Sequence, residues 1–292
     1  MKLKFINLGI FLLLLTSCGG KKETGLKEKQ AIQIKGSDTM INLCQAWAEA
    51  FMKKYPKAFV AVTGGGSGTG IAALIDGTCD IAESSRKMKE GEIILANQRK
   101  ILPVEFTVAL DGIVVVVHPA NPISELTIEQ LAGIFTGKIA NWKEIGGKDA
   151  EIVALSREVN SGTHIYFKEH ILKGKEEFAP SVLLMPSSQA IADEITQNQN
   201  AIGYYGMGYL SPKQKAIAIA KDNKGPYVLP LIENVVNGTY QISRPLLMYT
   251  NGQPQGLVKE FIDFVLGDEG QGIVKQQDFV PITLSETKKI KN

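Results

Sequence analysis

Residues 156–163 read Ser-Arg-Glu-Val-Asn-Ser-Gly-Thr and join a predicted strand, about 152–156, to a predicted helix, about 161–172. The N-terminus of a helix presents backbone N–H groups without intrahelical partners and a partial positive charge. Arg157 adds a planar guanidinium whose N–H groups match two oxygens of a tetrahedral anion. The segment therefore predicts an oxyanion-binding turn within an α/β fold.

Two further segments share this design of a strand, a turn of small residues and a helix. Gly36-Ser37-Asp38-Thr39 follows a predicted strand at 31–35, and Gly66-Ser67-Gly68-Thr69-Gly70 follows one at 59–63. Hydroxyl groups add donors, and glycine lets a backbone approach closely. Each turn alone is equally well explained as ordinary helix N-capping. Three such turns together with an arginine favour an anion-binding site.

Strands and helices alternate along the rest of the chain, which predicts an α/β fold without internal repeats. The other predicted strands cover about 79–82, 104–110, 112–118, 201–205 and 246–249. The predicted helices cover about 39–54, 127–135, 161–172, 188–196 and, as the final helix, 255–266, and another helix follows the loop at 64–70 and ends at about 76.

The first residues predict export. Lys2 and Lys4 precede an apolar run at 5–15, which is the length of a signal-peptide core and too short to span a bilayer. Leu15-Thr16-Ser17-Cys18 resembles the bacterial lipobox, which implies that residues 1–17 are removed and Cys18 is acylated. A plain signal peptide with an incidental cysteine, or a short membrane anchor, is the alternative. Residues 18–30 are polar and predict a flexible tether.

Composition narrows the classes of function. Without the signal peptide, the remaining 30 basic residues balance 30 acidic residues, so no nucleic-acid partner is expected. The three histidines lack the spacing of metal ligands, so no metal site is expected. No set of catalytic residues stands at a usable spacing, so we expect neither a cofactor nor an enzymatic activity. Cys44 and Cys79 fit either a disulfide or two buried thiols.

The chain resembles the phosphate-binding proteins of ABC transporters. Arg157 with Ser161-Gly162-Thr163 matches their Arg-x-x-x-Ser-Gly-Thr motif, and the turns at 36–40 and 66–70 are similar to their first two ligand loops. Residues 134–142, Ile-Phe-Thr-Gly-Lys-Ile-Ala-Asn-Trp, are similar to a family signature outside the ligand site. Ile202-Gly203-Tyr204-Tyr205 and Ser243-Arg244-Pro245-Leu246 also fit, so the resemblance covers essentially everything after the tether.

The resemblance implies a two-lobed type II periplasmic-binding-protein fold with the ligand in the cleft between the lobes. Lobe 1 is expected to comprise 31–111 plus 245–292, and lobe 2 to comprise 112–244. The implied function is capture of inorganic phosphate by a lipoprotein on the extracytoplasmic face of the cell membrane, in the periplasm or at the outer surface. The protein is expected to act as a monomer and to deliver phosphate to the permease subunits of an ABC importer.

The resemblance also implies the ligand-binding residues, which are Ser37, Asp38, Thr39, Ser67, Ser85, Arg157, Ser161, Gly162 and Thr163. Some family members carry an aspartate at the position of Ser85, where it accepts the proton of phosphate. We expect Asp38 either to replace that acceptor or simply to cap a helix. Arg157 is expected to supply the full positive charge, and Glu105 and Asp111, near the crossover between lobes, to be structural.

Two other classes of function remain open. Gly68-Thr69-Gly70-Ile71-Ala72-Ala73 formally satisfies the Gly-x-Gly-x-x-Ala pattern of dinucleotide-binding enzymes. An exported protein has no ready supply of such cofactors, which argues against this class. The second class uses the same fold to bind sulfate or molybdate, or as a surface sensor or adhesin.

Overall fold

The computed structural model describes residues 31–282. Its strands are β1 (Ala31–Gly36), β2 (Phe59–Thr63), β3 (Ile81–Ser84), β4 (Pro103–Val117), β5 (Glu125–Thr127), β6 (Val153–Arg157), β7 (Leu183–Met185), β8 (Ala201–Gly206), β9 (Lys215–Ala216), β10 (Ala218–Ala220) and β11 (Ser243–Asn251). Its α-helices are α1 (Ile41–Lys54), α2 (Ser67–Ile75), α3 (Glu90–Gln98), α4 (Ile128–Phe135), α5 (Gly162–His170), α6 (Ser188–Gln197), α7 (Ile232–Val236), α8 (Gly256–Leu266) and α9 (Asp268–Gln276). Short 3₁₀ helices cover Asp38–Met40, Trp142–Ile145 and Met207–Tyr209.

One mixed sheet organises the molecule, with the strand order β2-β1-β3-β11-β4-β8-β6-β7 and with β9 also paired to β4. The pairs at its two sides are parallel: β1 with β2 and β3, and β6 with β7 and β8. The central pairs are antiparallel. The predicted α/β class is confirmed, because helices connect the parallel strands on both sides.

The long strands β4 and β11 connect the two sides of the sheet. The predicted strands at 104–110 and 112–118 form one strand, because Asp111 and Gly112 continue the ladder with Arg244 and Ser243. Up to Gly112, β4 pairs with β11, and from Ile113 to Val117 it pairs with β8. The strand predicted at 246–249 extends over 243–251.

Apolar positions at helical spacing explain α1 and its packing. Leu43, Cys44, Trp47 and Phe51 are fully buried on one face, and the Phe51 ring meets the Phe261 ring of α8 at a centroid distance of 5.2 Å. The helix predicted to begin near Thr127 is confirmed, with Thr127 in a capping box. The prediction that 255–266 is the final helix is wrong, because α9 follows, and α3 was not predicted.

Parts of the sequence-based prediction fall outside the described residues. Cys18, the signal peptide, the tether and residues 283–292 are among them. Within residues 31–282, every helix is too short or too polar to cross a bilayer. Cys44 and Cys79 are both buried and form no disulfide, which decides between the two alternatives for this pair.

Candidate functional site

The three predicted turns meet at the carboxyl ends of parallel strands, the usual position of ligand sites in α/β sheets. The first turn follows β1, where Gly36 has a φ of 146° and a Cβ atom would collide with the carbonyl oxygen of Glu83. Glycine is therefore required for β1 to end against β3. The Ser37 N–H donates to that same carbonyl oxygen at 2.9 Å, and Ser37 and Thr39 are both about 1% exposed.

Asp38 faces across the cleft and is not the N-cap of the helix that follows it. Its Oδ2 atom accepts hydrogen bonds from Arg157 Nη1 at 2.6 Å and from the backbone N–H and hydroxyl of Ser188, both at 2.8 Å. Arg157 also donates to Ser188 Oγ at 3.0 Å and to the carbonyl oxygen of Pro186 at 3.0 Å. The interpretation of Asp38 as a simple cap of the first helix is therefore wrong, because Ser37 and Met40 hold the N-cap positions there and the Asp38 carboxylate binds groups from β6 and α6.

The second turn, residues 66–70, lies against the loop that follows β3. The Ser85 N–H donates to Ser67 Oγ at 3.0 Å, and the two hydroxyl oxygens are 3.3 Å apart. Both side chains are fully buried. Asn160 joins this turn to the third, because its side-chain amide donates to the carbonyl oxygen of Gly65 and its own carbonyl oxygen accepts from the N–H of Gly68.

The third turn, residues 161–163, begins α5. Ser161 is the N-cap and its hydroxyl oxygen accepts from the Thr163 N–H at 3.2 Å. Gly162 lies so close to the second turn that a Cβ atom would collide with the hydroxyl oxygens of Ser67 and Ser85. The Thr163 hydroxyl lies 2.9 Å from that of Thr39. The structure thus brings all nine predicted ligand residues into one cluster.

A second arginine lies beside this cluster. Arg244, in β11, donates to Thr163 Oγ1 from Nη2 at 2.9 Å and approaches Thr39 Oγ1 at 3.4 Å. Asp111 Oδ2 accepts from both Nε and Nη2 of Arg244. Arg244 is only 3% exposed and Asp111 is fully buried. The Ser243-Arg244-Pro245-Leu246 sequence predicts a strand but does not mark Arg244 as a residue of the site.

The charges at the site are paired in this conformation. Arg157 is paired with Asp38, and Arg244 is paired with Asp111. Burial lowers the pKa of Arg157, although Asp38 opposes that shift, and the guanidinium remains a cation near neutral pH. Burial raises the pKa of Asp111, and Arg244 opposes that shift.

Hydroxyl groups around the cluster are arranged as donors. An N–H group donates to the hydroxyl oxygen of Ser67, of Ser161 and of Thr163, so the proton of each hydroxyl can point elsewhere. Such hydroxyls favour an acceptor-rich ligand. Together with Arg157, they form a site suited to an oxyanion.

Sequence analysis also missed Ser188 and the buried state of Glu83. Ser188 is fully buried at the start of α6, where only its position after Ser187 in a helix-start pattern could have marked it. The Cys44 thiol lies beside the buried Glu83 carboxyl, and burial raises the pKa of Glu83 to about 8. The site is therefore flanked by a carboxyl group that is mainly protonated at neutral pH.

Comparisons with known proteins agree with this fold and site. Residues 22–269 match the family described as the PBP superfamily domain. The chain is similar to a Vibrio cholerae ABC-type phosphate transport receptor at 32% identity and a TM-score of 0.69, over 86% of this chain and all of that one. A Clostridium perfringens structure with bound phosphate has 33% identity and a TM-score of 0.78, over 87% of this chain and all of that one. The fold is the type II periplasmic-binding fold.

Relatives in sequence define the family more closely. The phosphate-binding protein PstS of Pseudomonas aeruginosa is 34% identical over 264 residues, which cover 85% of this chain and 81% of that protein. PstS of Bacillus subtilis is 34% identical over 284 residues, which cover 94% and 91%. The chain belongs to the PstS family of substrate-binding proteins.

Proposed function

We propose that this chain captures inorganic phosphate outside the cytoplasmic membrane and delivers it to the permease subunits of an ABC importer. The observation that carries the proposal is the convergence of buried hydroxyl groups from three turns on one cluster, to which the end of β6 adds the buried Arg157. Hydroxyls and a planar guanidinium suit the oxygens of phosphate. The relatives named phosphate-binding proteins, and the similar structure that holds phosphate, support the choice of ligand.

The proposed ligand residues are those predicted from the sequence: Ser37, Asp38, Thr39, Ser67, Ser85, Arg157, Ser161, Gly162 and Thr163. They come from both sides of the sheet, since the first five follow β1, β2 and β3 and the last four follow or end β6. We propose that these sides are two lobes, divided at about residues 111 and 245. The change of strand partner along β4 supports this division.

Calorimetry tests the proposed ligand. The mature chain from residue 18, carrying Cys18→Ser so that it is not acylated, is titrated with phosphate, arsenate, sulfate and molybdate. Phosphate should bind with the highest affinity of the four. Tight binding of sulfate or molybdate with no binding of phosphate would replace the proposal with the other oxyanion-binding class. No binding of any anion would favour a sensor or adhesin.

We also propose that Cys18 carries the lipid that holds the protein on the extracytoplasmic face of the membrane. The Leu-Thr-Ser-Cys sequence behind an apolar run supports this. Several acyl chains bury many methylene groups at about 0.8 kcal/mol each, so the anchoring is stable. The full-length chain should incorporate labelled palmitate and fractionate with membranes, and Cys18→Ser should do neither. Size-exclusion chromatography of the unacylated chain should give a monomer.

A further inference from the structure

We propose that Arg244 is a second arginine of the anion site, which holds Thr163 and Thr39 as hydrogen-bond donors and directs its own Nη1 group at the bound anion. This inference rests on the proposed function and names a residue that determines affinity within the same site. The assigned ligand chemistry is a tetrahedral oxyanion. Asp111 is its structural partner and does not contact the anion.

The geometry of the guanidinium is the first observation. Nε and Nη2 of Arg244 both donate to Asp111 Oδ2, at 3.0 and 2.9 Å. The remaining hydrogen of Nη2 donates to Thr163 Oγ1 at 2.9 Å. In a planar guanidinium the outer hydrogens of Nη1 and Nη2 point in the same direction. One hydrogen of Nη1 therefore points alongside the bond to Thr163.

The second observation is that Nη1 of Arg244 is buried and has no hydrogen-bond partner within residues 31–282. A buried charged donor without an acceptor costs free energy, so native proteins nearly always provide one. The Arg244 side chain is 1% exposed and lies beside hydroxyls from both sides of the cleft. An anion oxygen bound beside Thr39 and Thr163 supplies the missing acceptor.

Donation from Arg244 also fixes the direction of the hydroxyl protons. The Thr163 oxygen accepts from Nη2, and Thr39 Oγ1 lies 3.4 Å from the same nitrogen. A hydroxyl whose oxygen faces a cation directs its proton away from that cation. The two hydroxyl oxygens are 2.9 Å apart, so one threonine donates to the other and the second directs its proton at an anion oxygen. Arg244→Gln removes this ordering and the positive charge together.

A matched pair of variants separates this role from a structural one. Phosphate affinity and thermal unfolding are measured for Arg244→Gln, Asp111→Asn and the double variant, all in the unacylated mature chain. Arg244→Gln should weaken phosphate binding about tenfold or more, the range for a hydrogen bond to a charged group. Asp111→Asn keeps the arginine and one acceptor oxygen beside it, so it should weaken phosphate binding less than Arg244→Gln does. The double variant removes both buried charges, so it should regain stability yet bind phosphate as weakly as Arg244→Gln.

Coupling to Thr163 provides a readout that a purely structural residue would not move. In a Thr163→Val background, Arg244→Gln should cost at least about threefold less affinity than in the wild-type chain.

Equal losses of affinity for Asp111→Asn and Arg244→Gln, or wild-type affinity in the double variant, would overturn the inference. Arg157→Gln identifies which proposal has failed. If it abolishes phosphate binding while Arg244→Gln does not, only the role of Arg244 is wrong, whereas a wild-type chain that binds no phosphate overturns the proposed function itself.

Discussion

Asp38 lies where its carboxylate can distinguish protonated phosphate from sulfate while it remains paired with Arg157. Its Oδ2 atom accepts from Arg157 and Ser188, which leaves the lone pairs of Oδ1 as further acceptors. Phosphate near neutral pH carries a proton and can donate a hydrogen bond, whereas sulfate cannot. Ser85 bears no charge, so Asp38 is the carboxylate proposed to accept that hydrogen bond. It disfavours sulfate, because a sulfate oxygen without a proton is repelled by the negative carboxylate.

Asp38→Asn is therefore expected to change selectivity. Asparagine has nearly the same shape but bears no charge and can donate, so the variant should lose phosphate affinity and gain sulfate affinity. Parallel calorimetric titrations with the two anions give the ratio of dissociation constants. An unchanged ratio in a folded variant would mean that Asp38 only pairs with Arg157 and that selectivity arises elsewhere.

Glu83 gives a prediction about stability and pH. Burial raises its pKa to about 8, and Cys44 and Asp38 are the titratable groups beside it. A carboxyl whose folded pKa is raised stabilises the fold below its unfolded pKa, and this stability is lost as pH rises through about 8. Glutamine mimics the protonated form and does not titrate. From about pH 5 to pH 9, Glu83→Gln should therefore gain melting temperature relative to wild type, by roughly 3 °C or more.

Differential scanning calorimetry at several pH values, without phosphate, measures this difference. Any constant offset between the two proteins reflects the unpaired amide that glutamine introduces and does not bear on the titration. A difference in melting temperature that stays flat from acidic to alkaline pH would show that Glu83 titrates in its ordinary range.

At the scale of the elements, the start of α5 is placed against the second turn with no space for a side chain. A Cβ atom at Gly162 would collide with the hydroxyl oxygens of Ser67 and Ser85, which follow other strands. Gly162→Ala should therefore keep α5 intact but prevent these elements from meeting. We expect phosphate affinity to fall at least about tenfold while the circular dichroism spectrum stays unchanged, since alanine is a better helix former than glycine.

Gly91→Ala is the matched control for that variant. Gly91 lies in the first turn of α3, and a Cβ atom there would have no neighbour within 4 Å. It should leave phosphate affinity unchanged and stabilise the protein slightly. If Gly162→Ala binds phosphate as well as Gly91→Ala does, the contact between α5 and the second turn is not needed for binding.

The elements that sequence reasoning predicted are those with a strong local signal. The capping box at Thr127 and the apolar face of α1 depend on residues that are close in sequence, and the sequence predicted both. Helix α3 was missed because Ile93, Ile94 and Leu95 are consecutive and partly exposed, so no helical periodicity marks it. Asp111 and Gly112 suggested a break in β4, but Arg244 pairs with Asp111 across the sheet, and pairing over 133 residues has no local signature.

The site shows the same division between local and long-range information. The three turns could be found because each follows a strand and begins a helix, and the structure brings them together. Ser188 and Arg244 could not be found this way, because they reach the cluster from α6 and from β11 through contacts that only the tertiary fold creates. Pairing of Arg157 with Asp38 was likewise not predicted, although both residues were chosen.

At the scale of the whole molecule, polar contacts link the two sides of the sheet across the proposed cleft. Asp38 reaches Arg157 and Ser188, and the Gly68 N–H donates to the Asn160 carbonyl oxygen at 3.0 Å. An anion that pairs with Arg157 and with donors from both sides should hold the cleft in this closed arrangement. Two lobes joined by β4 and β11 can open and close as hinged bodies, which is the usual response of such folds to their ligands.

Phosphate should therefore slow hydrogen exchange of the Gly68 amide and reduce the radius of gyration in solution scattering. The Gly68 amide has its acceptor on the opposite side of the cleft, so it is protected only while the cleft is closed. Amides of β1, whose acceptors lie within the sheet, should exchange equally with and without phosphate and serve as the internal control. Scattering is needed as well, because a bound anion could protect the turn directly without any movement of the lobes. If phosphate binds in calorimetry but leaves the radius of gyration unchanged, the ligand enters a rigid site, and the division into two moving lobes is wrong.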